Sequence, residues 1–300
     1  MGIQWEQLPQ SLRDDVEMHL GVVIKAAAPA RGHTAGAGVR LLHENRRSTW
    51  LKACPTGHPI ARIYERERRI GLILPVAVPA PRMQWSSTAH GWIAMAHTFI
   101  DGRTADLSPG SPDVPKALKT VASLGDLLTP CPPGAPPLLG HVRNLVGKAH
   151  SLLDDLDTMR STDRAIYTEV LDGFDPGTLT GTTLLHFTLY PGVLRMVGPN
   201  ATGPATLILD WGFACQGPAW VEPVMFAPWL ICAGHSPQRT ESMLTDLAVW
   251  QSAPDDQVTR MIALWTLLHR YKAAVGPTSA RAAHEHAARA GRAWLGHRIS

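Results

Sequence analysis

The sequence predicts an α+β fold in two lobes, a small antiparallel-sheet lobe followed by a mainly helical one. Three observations carry this. Short apolar segments bounded by turn residues crowd the first third, around 22–24, 39–42, 48–53, 79–85 and 91–96, with a single long helical period among them at 60–74. Most of the chain beyond position 113 has helical spacing. Between the helices lies a non-helical stretch, 183–220, that alternates strand and loop and ends a short apolar strand on Asp210.

Bulk properties narrow the class. Three hundred residues with 45% hydrophobic content suffice for one large domain or two modest lobes. A net charge of +3 is too diffuse for nucleic-acid binding, and basic clusters such as Arg46-Arg47 and Arg68-Arg69 read as solvated faces. Cys54, Cys131, Cys215 and Cys232 are scattered without a Cys-x-x-Cys pair, which points to reduced thiols in a cytoplasmic protein. A charged start followed by an apolar run is missing, so no signal peptide is expected. Pro75 and Pro79 cut the apolar run 71–80 well short of a membrane span.

In chain order, 5–20 reads as a helix with Leu12, Val16 and Leu20 on one face, capped by Gly21. A small-residue loop, 30–38, comes next, and Gly36 and Gly38 would let its backbone approach a phosphate chain. Lys52 lies mid-strand among apolar residues, and an ammonium buried there needs an anionic partner. On the 60–74 helix Ile63, Glu67 and Ile70 share a face, so Glu67 is the expected partner and Glu65 the second choice. The strand 91–96 leads out of the small lobe. Its backbone near Met95 and His97 is the place for a purine, if one binds. Beyond it, helices are expected at 113–128, 138–159, 162–171, 241–251, 255–275 and 280–295, with 220–232 as a helix or helix pair broken by Pro223 and Pro228. The acidic cluster Asp154, Asp155 and Asp157 reads as a solvated face. His284 and His286, two apart on a helix, make a poor metal pair.

The central stretch carries a resemblance. Asp210-Trp211-Gly212-Phe213-Ala214-Cys215-Gln216-Gly217-Pro218-Ala219-Trp220 is similar to the metal loop of the aminoglycoside phosphotransferase-like branch of the kinase fold. The preceding Leu184-Leu185-His186 run resembles the entry to that family's catalytic loop, with His186 and Leu189 in frame. Thr188 stands at the catalytic Asp position and Val193 at the metal-binding Asn position. The resemblance implies an N-terminal lobe through residue 96 and a C-terminal lobe over 97–300, holding loops 186–194 and 210–217. It implies that Gly36, Gly38, Lys52, Glu67, Met95 and His97 bind ATP or GTP, that Asp210 holds Mg²⁺, and that Glu222 supports the site.

The two departures decide the functional reading. A threonine hydroxyl cannot act as a base near neutrality, and valine offers no oxygen to a hard cation. One reading is therefore a degenerate, pseudokinase-type member that binds nucleotide or a small molecule, with a protein partner in a regulatory, scaffolding or sequestering role. The alternative is an active phosphotransferase acting on a hydroxyl of an antibiotic or metabolite by rearranged catalysis. A non-kinase enzyme built in the old cleft is the residual. Nucleic acid and membrane are not expected partners, and the identity of the substrate is not legible.

Overall fold

A computed structural model describes residues 2–28, 36–155, 159–198 and 203–300. In chain order the elements are α1 (Gln10–Leu20), β1 (Val23–Ala27), β2 (Ala37–His43), β3 (Ser48–Pro55), α2 (Ala61–Ile73), β4 (Met83–Ser87), β5 (Trp92–Thr98) and β6 (Arg103–Thr104). Next come α3 (Asp113–Leu127), α4 (Leu139–Leu153), α5 (Ser161–Leu171), β7 (Thr183–Leu185), β8 (Leu194–Met196), β9 (Thr206–Ile208) and β10 (Cys215–Gly217). Four helices close the chain: α6 (Val221–Cys232), α7 (Pro237–Thr245), α8 (Asp255–Val275) and α9 (Thr278–Arg298). The fold is α+β, with one compact unit built from 1–103 and 195–214 and a second from 104–194 and 215–300.

The first unit is organised by a five-stranded antiparallel sheet in the order β1-β2-β3-β5-β4. Side chains alternate across it, as the two-residue period of a strand requires. Leu51, Ala53, Ala94 and Ala96 face Leu8, Leu12 and Val16 of the N-terminal segment. Cys54, Ile93 and Met95 point the other way, onto Ala61 and Tyr64 of α2. Lys52 shares the α2 side. The chain later returns to this unit with β8 and β9, and Val197 N donates to Ala205 O at 3.0 Å between them.

The second unit is helical. α8 and α9, of 21 residues each, run side by side, and the middle of α8 from Met261 to Leu267 is buried throughout. The eight residues from Val221 to Pro228 are buried on every face, as a helix without a polar side requires. A two-stranded ladder, β7 with β10, pairs Leu185 with Cys215 and Thr183 with Gly217.

The structure corrects several boundaries. The 5–20 helix divides into a 3-10 turn at Trp5–Gln7 and α1, because Pro9 occupies the cap of α1 and cannot continue a helix begun before it. β4 starts at Met83 rather than 79, since Pro79 and Pro81 lack the N–H a ladder needs; the Pro79 carbonyl instead accepts from Ile208 N at 2.7 Å. Segment 220–232 is one helix, not a pair. Pro223 sits in the first turn, where no N–H is required, and Pro228 is carried inside the helix. α4 ends at Leu153, and Asp157 lies outside the described residues. The 241–251 helix starts earlier, at Pro237, because Ser236 Oγ accepts from Arg239 N at 3.1 Å, and it stops at Thr245 before a 3-10 turn over Ala248–Ser252.

Candidate active site

The strand β3 turns Lys52 away from the α1 face, and α2 presents Glu67 on the buried stripe with Tyr64 and Ile70. The two side chains meet. Lys52 Nζ donates to Glu67 Oε2 at 2.5 Å and to Asp210 Oδ1 at 2.9 Å. It also lies 5.5 Å from the centre of the Tyr64 ring. Glu65, the second choice, is engaged elsewhere by Arg68 and Arg69. Burial works against the Lys52 charge, but the carboxylates of Glu67 and Asp210 outweigh it and hold the ammonium above its ordinary range. Burial raises Glu67, with Lys52 opposing.

Asp210 follows β9 by two residues in a left-handed conformation, φ 61°, and opens the turn Trp211–Phe213. Its side chain is 52% exposed, whereas those of Lys52 and Glu67 are buried. The turn is fixed by Trp211 Nε1, which donates to Ile208 O at 3.1 Å. Gly212 then lies against α2: a Cβ there would come within 2.6 Å of Ile63 Cγ2. Gly212→Ala is therefore expected to lower stability by about 1–3 kcal/mol through overpacking, read from urea unfolding, and to push the Asp210 turn off the Glu67 helix.

Gly38, Lys52 and Met95 lie opposite one another across β2, β3 and β5. Gly36 has a packing reason to be glycine, since a Cβ would meet Ala53 O at 2.3 Å. The part of the small-residue loop from 30 to 35 falls outside the described residues. Met95 and His97 sit in a strand paired on both edges, with Lys52 and Ser86 beside the first and with Trp50 and Met83 beside the second. Their backbone is thus paired within the sheet on both edges. Burial, then the Lys52 charge, pulls the His97 imidazole down to about 4, so it is neutral at pH 7.

The second unit builds the 186–193 loop. Glu222, at the start of α6 and 2% exposed, accepts the backbone N–H of His186 and that of Phe187, the latter at 3.0 Å. This anchors a left-handed turn at Phe187, φ 69°, a strained conformation for so large a residue. His141 stacks on the Phe187 ring at 5.1 Å. His186 is fully buried and Thr188 half-buried. Val193 lies in the turn Pro191–Val193 rather than in the next strand, where its N–H donates to Tyr190 O at 3.1 Å and its side chain is buried. Tyr190 rests on Trp229, and Trp229 meets Trp265 edge-on. Burial pushes the Glu222 carboxyl up to about 7, against the two N–H groups that favour its charge.

Sequence reasoning missed His141 and Trp229, whose helical positions carry no signal beyond an apolar face. Among the described residues no group of three or more His, Cys, Asp or Glu side chains is placed to hold a metal. None of the helices among them is long and apolar enough to cross a membrane.

No family model and no curated protein sequence matches the chain. Solved structures do. A thermostable mutant of the aminoglycoside phosphotransferase APH(4)-Ia, in ternary complex with AMP-PNP and hygromycin B, superimposes with a TM-score of 0.62 at 15% identity, covering 95% of this chain and 99% of that one. The choline kinase LicA from Streptococcus pneumoniae gives 0.63 at 11% identity, covering 94% and 98%. The GDP and kanamycin complex of APH(2")-IIIa gives 0.60 at 14%, covering 97% and 99%. The fold is that of the aminoglycoside phosphotransferases and choline kinases. Within this kinase-like fold, Lys52, Glu67 and Asp210 come together in the first unit, and in the second Glu222 holds His186 and Phe187, with Thr188 and Val193 further along the same loop.

Proposed function

We propose that this chain is an aminoglycoside phosphotransferase-like protein that binds ATP or GTP and whose phosphoryl-transfer step is degenerate. The supporting observation is Lys52, held between Glu67 and Asp210. A buried ammonium with two carboxylates is oriented by Glu67 and left able to meet nucleotide phosphates beside the half-exposed Asp210. The residues fit Mg²⁺ in part: Asp210 would hold it, and no protein oxygen is supplied by Val193. Bound there, the cation would neutralise phosphate charge.

Thr188 supplies no base for an acceptor hydroxyl, which favours binding without turnover. Such a protein would act by sequestering a ligand or presenting its nucleotide-bound form to a protein partner. The second reading, an active kinase for a hydroxyl of a small molecule, draws on the same Lys52–Glu67–Asp210 arrangement. The neighbours' complexes with hygromycin B and kanamycin give the acceptor classes to try first.

Calorimetry with Mg-ATP and Mg-GTP tests the proposal. Micromolar binding is expected, weakened about 10- to 100-fold in Asp210→Asn and in Lys52→Ala, the range for losing a charge-assisted contact. Asp210→Asn is the cleaner variant, because Lys52→Ala also strands a buried Glu67 charge. No binding at millimolar nucleotide would sink the proposal.

A further inference from the structure

We propose that a groove between α5, α8 and α9 is a site for a small polyanion, a ligand carrying two or more phosphate or carboxylate groups. The groove has a volume of about 900 Å³, within the range of small-molecule sites. Five guanidinium groups line it: Arg160 from the start of α5, Arg270 from α8, and Arg281, Arg289 and Arg292 from α9. Among the described residues two carboxylates, Asp163 and Glu285, face them. The excess among these seven side chains is three positive charges, against +3 for the whole chain.

The arrangement is built rather than scattered. Asp163, 7% exposed, gathers three of the arginines, with Arg292 Nε at 3.2 Å, Arg160 at 3.5 Å and Arg270 at 3.6 Å. Burial raises its carboxyl, and the surrounding guanidinium groups outweigh that and hold it below the ordinary range. One carboxylate cannot satisfy three forks of five N–H donors each, so most of those donors stay available. Arg281 and Arg289 stand one turn either side of Glu285, the spacing of helical ion pairs. Among the described residues neither reaches a carboxylate. Small side chains, Ala288 and Ala293, keep the floor low. Arginine forks bind phosphate and carboxylate bidentately, so their convergence specifies such a ligand. Three of the five, Arg160, Arg270 and Arg292, converge on Asp163, and Arg281 and Arg289 line the same groove, which argues for a compact polyanion over a nucleic-acid backbone.

Calorimetry with tripolyphosphate and with citrate, without magnesium and at low salt, tests this. Four proteins are compared: wild type, Arg281→Ala/Arg289→Ala, Arg281→Lys/Arg289→Lys, and Lys52→Met/Glu67→Gln, which neutralises the nucleotide residues as a pair. Arg281 and Arg289 are exposed, so their variants are expected to fold. Binding should persist in Lys52→Met/Glu67→Gln, fall about tenfold or more in the alanine pair, and return in part with lysine. Loss in the Lys52 variant with none in the alanine pair would assign the anion to the nucleotide residues and overturn the proposal. So would equal binding by all four proteins, no binding by wild type, or binding of a single-stranded oligonucleotide alone.

Discussion

Thr188→Asp is expected to raise phosphoryl transfer from ATP by about 10²–10⁴-fold, the usual worth of a general base. The loop that carries Thr188 is already shaped: Glu222 fixes its entry through two backbone N–H groups, and the Pro191–Val193 turn fixes its exit. Thr188 is half-buried, so a carboxylate there keeps contact with solvent and an ordinary acidity. On the proposed reading, the group this variant supplies is the one that accepts the acceptor's proton. Val193→Asn is a poorer first choice, because it places an amide where the side chain is 1% exposed, at about 1–3 kcal/mol if unpaired. ADP release with water, aminoglycosides and choline as acceptors is the measurement. A wild type that already turns over as fast as the variant would locate the chemistry elsewhere.

Glu222→Leu should destabilise the second unit by about 2–6 kcal/mol, since two buried N–H groups lose their acceptor at about 1–3 kcal/mol each. It also releases the strained Phe187 turn. Urea unfolding reads the loss, with Glu222→Gln as the milder comparison. The pH dependence has a definite sign. The folded-state carboxyl titrates at about 7, against an unperturbed 4.5. The folded protein therefore keeps a proton that the unfolded chain has released, and stability from this group falls as pH rises from 4.5 through 7. Wild type should lose on the order of 3 kcal/mol relative to Glu222→Gln between about pH 4 and pH 8. Parallel stability curves would place the Glu222 proton wrongly.

The legible parts of the sequence were those set by local periodicity and by charge. A lysine inside an apolar strand and a glutamate on the buried stripe of the next long helix need each other wherever the chain folds, and the two meet. The contact of Asp210 with Lys52 is not legible in the same way, because it joins residues 158 apart in the chain. Boundaries failed where proline or a cap competed with periodicity, as at Pro9, Pro79 and Ser236. β10 was illegible because its three residues, Cys215-Gln216-Gly217, have almost no strand preference and are held in place by pairing with β7. The arginine groove was hidden because its five members are spread over 160–292, and only the packing of three helices brings them together.

The proposed function has two halves, nucleotide binding and the absence of phosphoryl transfer. Equilibrium dialysis of the wild type against γ-labelled ATP with magnesium, with the bound label then analysed, tests both halves at once. Label is expected to be retained on the protein at micromolar concentrations and recovered as intact ATP. Label recovered as phosphate or on an acceptor would contradict degenerate transfer, and label that stays outside at millimolar nucleotide would contradict binding.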